Sequence, residues 1–263
     1  MLLVDSHCHL DAGEFDADRD AVIASARAAG VVQQVVPATH ADGWTGLREV
    51  CRSAPGLYPA YGLHPVFLPH HRDGDLERLH AWLRGERPVA VGECGLDLFL
   101  DDLDRDTQQR WFEGQLRLAR EFDLPVIVHA RRAVDAVLAT LRRIGGGRGA
   151  DNALRGVVHS FSGSGEQARQ LWKLGFLVGL GGPVTYDRAR RLRRLAASMP
   201  LEYLLLETDA PDQPDAENRG RRNEPAKLAT VLDTIARLRD DDPAAIAAAT
   251  TANARRLFAL PPV

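Results

Sequence analysis

The amino-acid sequence predicts an α/β protein: one closed (β/α)8 barrel domain spanning residues 1–263. Three observations point there. Eight short apolar runs alternate with longer amphipathic stretches, the pattern of parallel βαβ units. The runs are continuously apolar, as strands covered on both faces must be. The first run ends in DSHCHLD, without the glycine-rich phosphate turn that usually marks a doubly wound sheet. The length of 263 residues also sits close to the ~250 of such a barrel.

The elements follow in order. LLVDS (2–6) is strand one. Residues 16–30 then place Val22, Ile23, Ala26 and Ala29 at helical spacing and stop at Gly30. VVQQVVP (31–37) is strand two, followed by a helix around 42–53. LYPAYGL (57–63) is strand three, with a helix near 73–84. PVAVGE (88–93) is strand four, and the longest helix spans about 104–122. DLPVIVHA (123–130) is strand five, before a helix near 133–144. GGGRGADN (145–152) has the composition of a loop. LRGVVHSF (154–161) is strand six, then a helix at 165–174. FLVGLGG (176–182) is strand seven, then an arginine-rich helix near 187–198 expected on the barrel's outside. YLLLETDA (203–210) is strand eight. A polar loop (211–225) leads to closing helices at about 224–238 and 243–256.

Composition excludes several classes. A hydrophobic content of 45% and a charged content of 26% are ordinary globular values, which argue against disorder and fibres. Net charge is −3, whereas a protein that coats nucleic acid carries a basic excess. Phosphate binding would have to come from local arginines or bound metal. Three cysteines, Cys8, Cys51 and Cys94, form no disulfide framework and suit a reducing compartment. The N-terminal segment lacks the pattern of a signal peptide, and no apolar run approaches the ~20 residues of a membrane span. The expectation is a cytoplasmic protein with no membrane contact and no obligate protein partner.

The histidines and acids fall where barrel enzymes keep their chemistry, at the C-terminal ends of the strands. Strand one ends in His7 and His9, strand three in His64, strand four in Glu93 with Asp97 just beyond. Strand five ends in His129, strand six in His159 and strand eight in Asp209. His7 and His9 are two apart, so both imidazoles share one face of a strand. A buried strand-end carboxylate such as Glu93 or Asp209 needs a metal or a hydrogen-bonded partner to offset its desolvation. His64 could back up the ligands, contact substrate or belong to the loop. His40 is a weaker candidate, and His70, His71 and His80 read as surface residues. Imidazole with carboxylate suits zinc, manganese, iron or nickel more than magnesium. Four histidines and two acids exceed one tetrahedral site and are enough for two ions ~3.5–4 Å apart, with mid-ring Glu93 as the bridge. Water activated there would attack a carbonyl or phosphoryl centre. Arg131, Arg132, Arg219, Arg221 and Arg222 lie on or near the rim loops and could clamp phosphate.

The segments DSHCHLD (5–11), GLHP (62–65), VGECGLDL (91–98), PVIVHARR (125–132), VVHSFSGS (157–164), GLGGPVTY (179–186), LLLETDAP (204–211) and RNEP (222–225) together resemble the TatD family of metal-dependent hydrolases. These are TIM barrels of amidohydrolase-like type, and the resemblance runs end to end. It implies a divalent-metal deoxyribonuclease, a 3′–5′ exonuclease on single strands, with single-stranded DNA or another phosphodiester as substrate. It implies two ions, zinc, manganese or magnesium. His7, His9 and Asp209 would hold one, His129 and His159 the other, with Glu93 bridging. Asp209 and Glu93 would be catalytic, Asp209 orienting or deprotonating the attacking water. His64 and Asp97 would support the ligands, and Arg131 would contact phosphate. DAPDQPD and GLDLF depart from the family's more usual DAPYL and GLDYY or GLDFY, leaving fewer aromatics for bases to stack on. The residues leave two other readings open: hydrolysis of a small amide, lactone or phosphoester, and metal binding without catalysis.

Overall fold

The structure, a computed structural model, describes residues 1–145 and 153–262. Eight strands run in sequence: β1 (Leu3–Asp5), β2 (Val31–Pro37), β3 (Leu57–Tyr61), β4 (Ala90–Asp97), β5 (Val126–Arg131), β6 (Gly156–Val158), β7 (Phe176–Leu180) and β8 (Leu204–Leu206). Each pairs with the next in parallel. Three backbone hydrogen bonds join the last strand to the first: Ser6 N to Leu206 O, Asp209 N to His7 O and His9 N to Ala210 O. The sheet is therefore a nearly closed barrel.

The helices are α1 (Arg19–Ala28), α2 (Trp44–Ser53), α3 (Asp75–Glu86), α4 (Arg105–Glu121), α5 (Val134–Ile144), α6 (Gly165–Lys173), α7 (Arg190–Ser198), α8 (Leu228–Arg239) and α9 (Pro243–Phe258). Local chemistry starts several of them. Asp104 caps α4 by accepting from Thr107 N, Ser164 and Gln167 form a capping box on α6, and Asp242 caps α9 ahead of Pro243.

Strand alternation divides the core in two. One residue from each strand forms an interior ring: Val4, Val35, Ala60, Ala90, Ile127, Val157, Leu177 and Leu205. Ala254, Leu257 and Phe258 of α9, with Leu260, pack against that ring and close one end of the barrel. The alternate residues, among them Val126, Val128, Val158, Val178, Leu204 and Leu206, join the larger core under the helices. Because side chains alternate along a strand, residues two beyond the ring face the same interior. His129, His159 and Glu207 stand at that position.

Several boundaries differ from the expected ones. β4 continues past Glu93 to Asp97, because the glycines at 92 and 95 let it follow β5 through a register shift. β6 and β8 are three residues long, and backbone bonds from His159 N to Val128 O and from Glu207 N to Leu180 O carry the pairing one residue further. Short 3-10 turns at Gly13–Phe15, Ala41–Gly43, Pro65–His70 and Gly182–Thr185 shape the rim. Apart from Gly145, the expected 145–152 loop lies outside the described residues. Among the described residues, no helix is long and apolar enough to cross a membrane.

Candidate metal centre

The strand ends bring six metal-capable side chains together around one carboxylate. Glu93 is buried and its two oxygens face different partners. Oε2 lies 3.2 Å from His7 Nε2 and 3.4 Å from His9 Nε2. Oε1 lies 2.7 Å from His159 Nε2, 3.0 Å from His129 Nδ1 and 2.9 Å from His64 Nε2. Asp209 Oδ1 adds to the first group, 3.4 Å from His7 Nε2 and 3.7 Å from His9 Nε2. Ligand atoms of His7, His9 and Glu93 could close on one cation, and so could those of His7, His159 and Asp209, or of His64, Glu93 and His129.

The local backbone explains how short segments achieve this. Asp5 anchors the turn after β1, accepting from His7 N and from the Thr208 amide and hydroxyl. Asp209 sits at φ 58°, a left-handed conformation that aspartate tolerates better than most residues.

The far nitrogens of the imidazoles fix which atoms face the centre. His9 Nδ1 is 3.1 Å from Pro37 O, which leaves Nε2 for a ligand. His129 Nε2 is 3.0 Å from Asp97 Oδ2, which leaves Nδ1. Metal-bound histidines characteristically donate their other N–H to a carbonyl or carboxylate in this way. His7 Nδ1 and His159 Nδ1 are buried without a hydrogen-bond partner.

The electrostatics are dominated by the buried Glu93 carboxylate. Burial alone would raise the Glu93 carboxyl, but His159, His64 and His7 outweigh it and hold the group well below its usual value. Burial likewise opposes charge on His9 and His159, yet attraction to Glu93 carries them to about 9 and about 10. For His7, burial and repulsion by His159 win, and its pKa falls well below normal. Imidazoles and carboxylates gathered around one buried point make a donor set able to hold a divalent cation.

A family profile described as "TatD related DNase" matches residues 4–259. The chain belongs to the TatD family. Among curated TatD-type relatives, the uncharacterized metal-dependent hydrolase YjjV of Escherichia coli K12 is 42% identical over 260 residues, 98% of each chain. A protein named 3′-5′ ssDNA/RNA exonuclease TatD, from Cronobacter sakazakii, is 36% identical over 97% of each. The crystal structure of Escherichia coli YjjV superposes with a TM-score of 0.93 at 41% identity, covering 98% of both chains. This chain is accordingly a metal-dependent hydrolase of the TatD family.

In this TatD barrel the cluster lies in a cavity of about 1090 Å³. His40 and Phe67 line it as a stacked pair, ring centroids 5.3 Å apart and 13° from parallel. Asp97 lies behind His129 and is tied by hydrogen bonds from Phe99 N and Leu100 N. Arg131 lines the cavity too, its guanidinium 3.8 Å over the ring of Phe99, with Arg132 at 4.7 Å. Phe99, the one aromatic of GLDLF, is 40% exposed beside these guanidiniums.

The structure corrects two expectations. Arg222 is not available as a phosphate clamp. Its guanidinium binds both oxygens of Asp18 and one of Glu224, and it does not line the cavity. His71 is not a free surface residue, because its Nε2 lies 3.0 Å from His64 O and it is partly buried.

Three polar neighbours were missed by sequence reasoning. Gln213 Nε2 donates to both Asp209 Oδ2 and Ser160 Oγ. Glu207 is buried, and desolvation pushes its pKa up to about 8. The only signal was a carboxylate inside the apolar run LLLETDA, two residues before Asp209.

Proposed function

We propose that this chain is a 3′–5′ exonuclease on single-stranded DNA that uses two divalent ions, zinc, manganese or magnesium, bridged by Glu93. The observation that carries the reading is the divided carboxylate. Oε2 faces His7 and His9, and Oε1 faces His129 and His159, so one residue serves two groups of donors. When bound, such ions would polarise a phosphoryl oxygen and supply hydroxide near neutral pH.

The chain's own residues complete the roles. Asp209 presents Oδ1 toward His7 and His9 while Gln213 holds Oδ2, so the carboxylate is oriented to take a proton from the attacking water. Arg131 and Arg132 stand on Phe99 at the rim. Arg131 is 4.0 Å from Asp97, and among the described residues Arg132 pairs with no carboxylate, which leaves guanidinium charge for a phosphate. The His40–Phe67 stack offers a flat face for a base. The relative named 3′-5′ ssDNA/RNA exonuclease supports this substrate class. We read residues 1–263 as one domain. Three free buried cysteines support a cytoplasmic location.

A second reading, hydrolysis of a small amide, lactone or phosphoester, is favoured by the cavity's concavity and by its volume, near the upper end of small-molecule pockets. Digestion of a 5′-labelled single-stranded oligonucleotide beside a panel of small esters separates the two. Stepwise shortening from the 3′ end supports the nuclease. Turnover confined to the small esters contradicts it.

A further inference from the structure

We propose that Glu207 is a positioning residue for His159, accepting the Nδ1–H that fixes this ring with Nε2 toward the metal. The proposal rests on the reading above in one respect, that His159 holds an ion through Nε2.

Four observations lead to it. Glu207 is 0% exposed, yet its hydrogen bonding is incomplete. Oε1 accepts from Ser160 N, and Oε2 has no partner. A buried carboxylate left half-satisfied costs stability, so its retention needs a reason. His159 Nδ1 is also buried and unpartnered, and Glu207 Oε1 is 4.0 Å away.

The strand places the two side chains in the same layer. Leu205 and Val157 belong to the interior ring, so Glu207 and His159, each two residues further on, both point into the barrel. On β7, adjacent to β8, room has been made for the acid. A Cβ on Gly179 would collide with the Glu207 carboxylate, so any side chain there would force the acid to shift.

Two of the other histidines show the rule that His159, like His7, lacks. His9 has the Pro37 carbonyl behind it and His129 has Asp97. A histidine that binds metal through Nε2 carries its proton on Nδ1, and that N–H needs an acceptor. Among the described residues, Glu207 is the carboxylate that stands nearest His159 Nδ1, at 4.0 Å. The gap exceeds a hydrogen bond of roughly 2.7–3.2 Å, and a shift of about 1 Å closes it. Histidine pairs of this kind often run long before a site is loaded and tighten in the working complex.

The test compares Glu207→Met, which keeps the size and removes the acceptor, with Glu207→Gln, whose carbonyl can still accept. Metal-stripped full-length protein is titrated with manganese by calorimetry. Wild type is expected to take two ions. Glu207→Met should lose about 10–100-fold in affinity at one of them, the usual effect of removing such a partner. Glu207→Gln should stay close to wild type. The metal-free Glu207→Met protein should melt no lower than wild type, because an apolar side chain replaces a poorly paired buried acid. A purely structural role would lower the melting temperature and leave metal affinity alone.

Wild-type affinity at both sites in Glu207→Met overturns the proposal, as does an equal loss in Glu207→Gln. A wild-type protein that binds no manganese overturns the metal reading and this proposal with it. A second measurement needs no variant. In histidine-labelled, zinc-loaded wild type, the His159 ring should show a protonated, exchange-protected Nδ1 by nitrogen NMR, and an unprotonated Nδ1 overturns the assignment.

Discussion

His64 Nε2 lies 2.9 Å from Glu93 Oε1, while His64 Nδ1 accepts the Val66 N–H at 3.1 Å. The second bond fixes the tautomer, because an accepting Nδ1 puts the ring proton on Nε2. Burial keeps the ring neutral, pushing its pKa down to about 4. His64 therefore donates to the shared carboxylate and steadies it, although distance alone would admit it among the ligands. His64→Ala is expected to keep the metal content of wild type and to slow turnover by about 10–100-fold. Elemental analysis alongside a rate assay checks this, and loss of an ion would make His64 a ligand instead.

The rim arginines divide into two groups. Arg131→Ala and Arg132→Ala should each weaken binding of single-stranded DNA and reduce the slope of log affinity against log salt by about 0.7. Arg222→Ala should leave both unchanged, since its guanidinium is committed to Asp18 and Glu224 on the surface. Fluorescence anisotropy across a salt series distinguishes them. Equal effects from all three would return Arg222 to the binding surface.

The barrel and the ring of candidate ligands were legible in the sequence because both follow from short-range pattern. Continuous apolar runs mark strands covered on two faces, and His129 and His159 end such runs directly. Side-chain alternation then carries them inward. What was not legible depends on chain segments far apart. Arg222 is engaged by Asp18, 204 positions away, a pairing that no local pattern encodes. Gln213 reaches Ser160 only through the path of a loop that no periodicity describes. The donor to Glu93 from His64 required knowing which way Val66 turned. The contact of Arg131 and Arg132 with Phe99 depends on how β5 lies beside the end of β4.

Metal-free protein should lose stability as pH rises from about 7 to 10. The sign follows from proton counting. His9 and His159 are raised to about 9 and about 10 in the folded chain, and Glu207 to about 8, so over this window the native state holds more protons than the unfolded one. Stability then falls with pH, and the contribution of the histidines is complete only below their unfolded value near 6.5. Bound metal requires neutral imidazoles and should flatten the decline. Melting curves at several pH values, with and without zinc, check this. A metal-free protein that gains stability toward pH 10 contradicts it.

The interior ring predicts a stability effect separable from chemistry. Ile127→Ala and Leu205→Ala remove fully buried side chains where α9 closes the barrel. Each is expected to cost about 2–5 kcal/mol in denaturant unfolding. The β5 change lies two residues below His129, so weakened metal binding should accompany it. A cost well under 1 kcal/mol would mean that the ring repacks freely.

The most direct test of a Glu93-bridged site is the metal content of wild type and Glu93→Ala after equilibration with manganese, measured beside cleavage of 5′-labelled single-stranded DNA. Two ions per wild-type chain with metal-dependent 3′ shortening, and loss of both ions and cleavage in Glu93→Ala, is the expected result. A Glu93→Ala protein that retains two ions and still shortens the strand would contradict it.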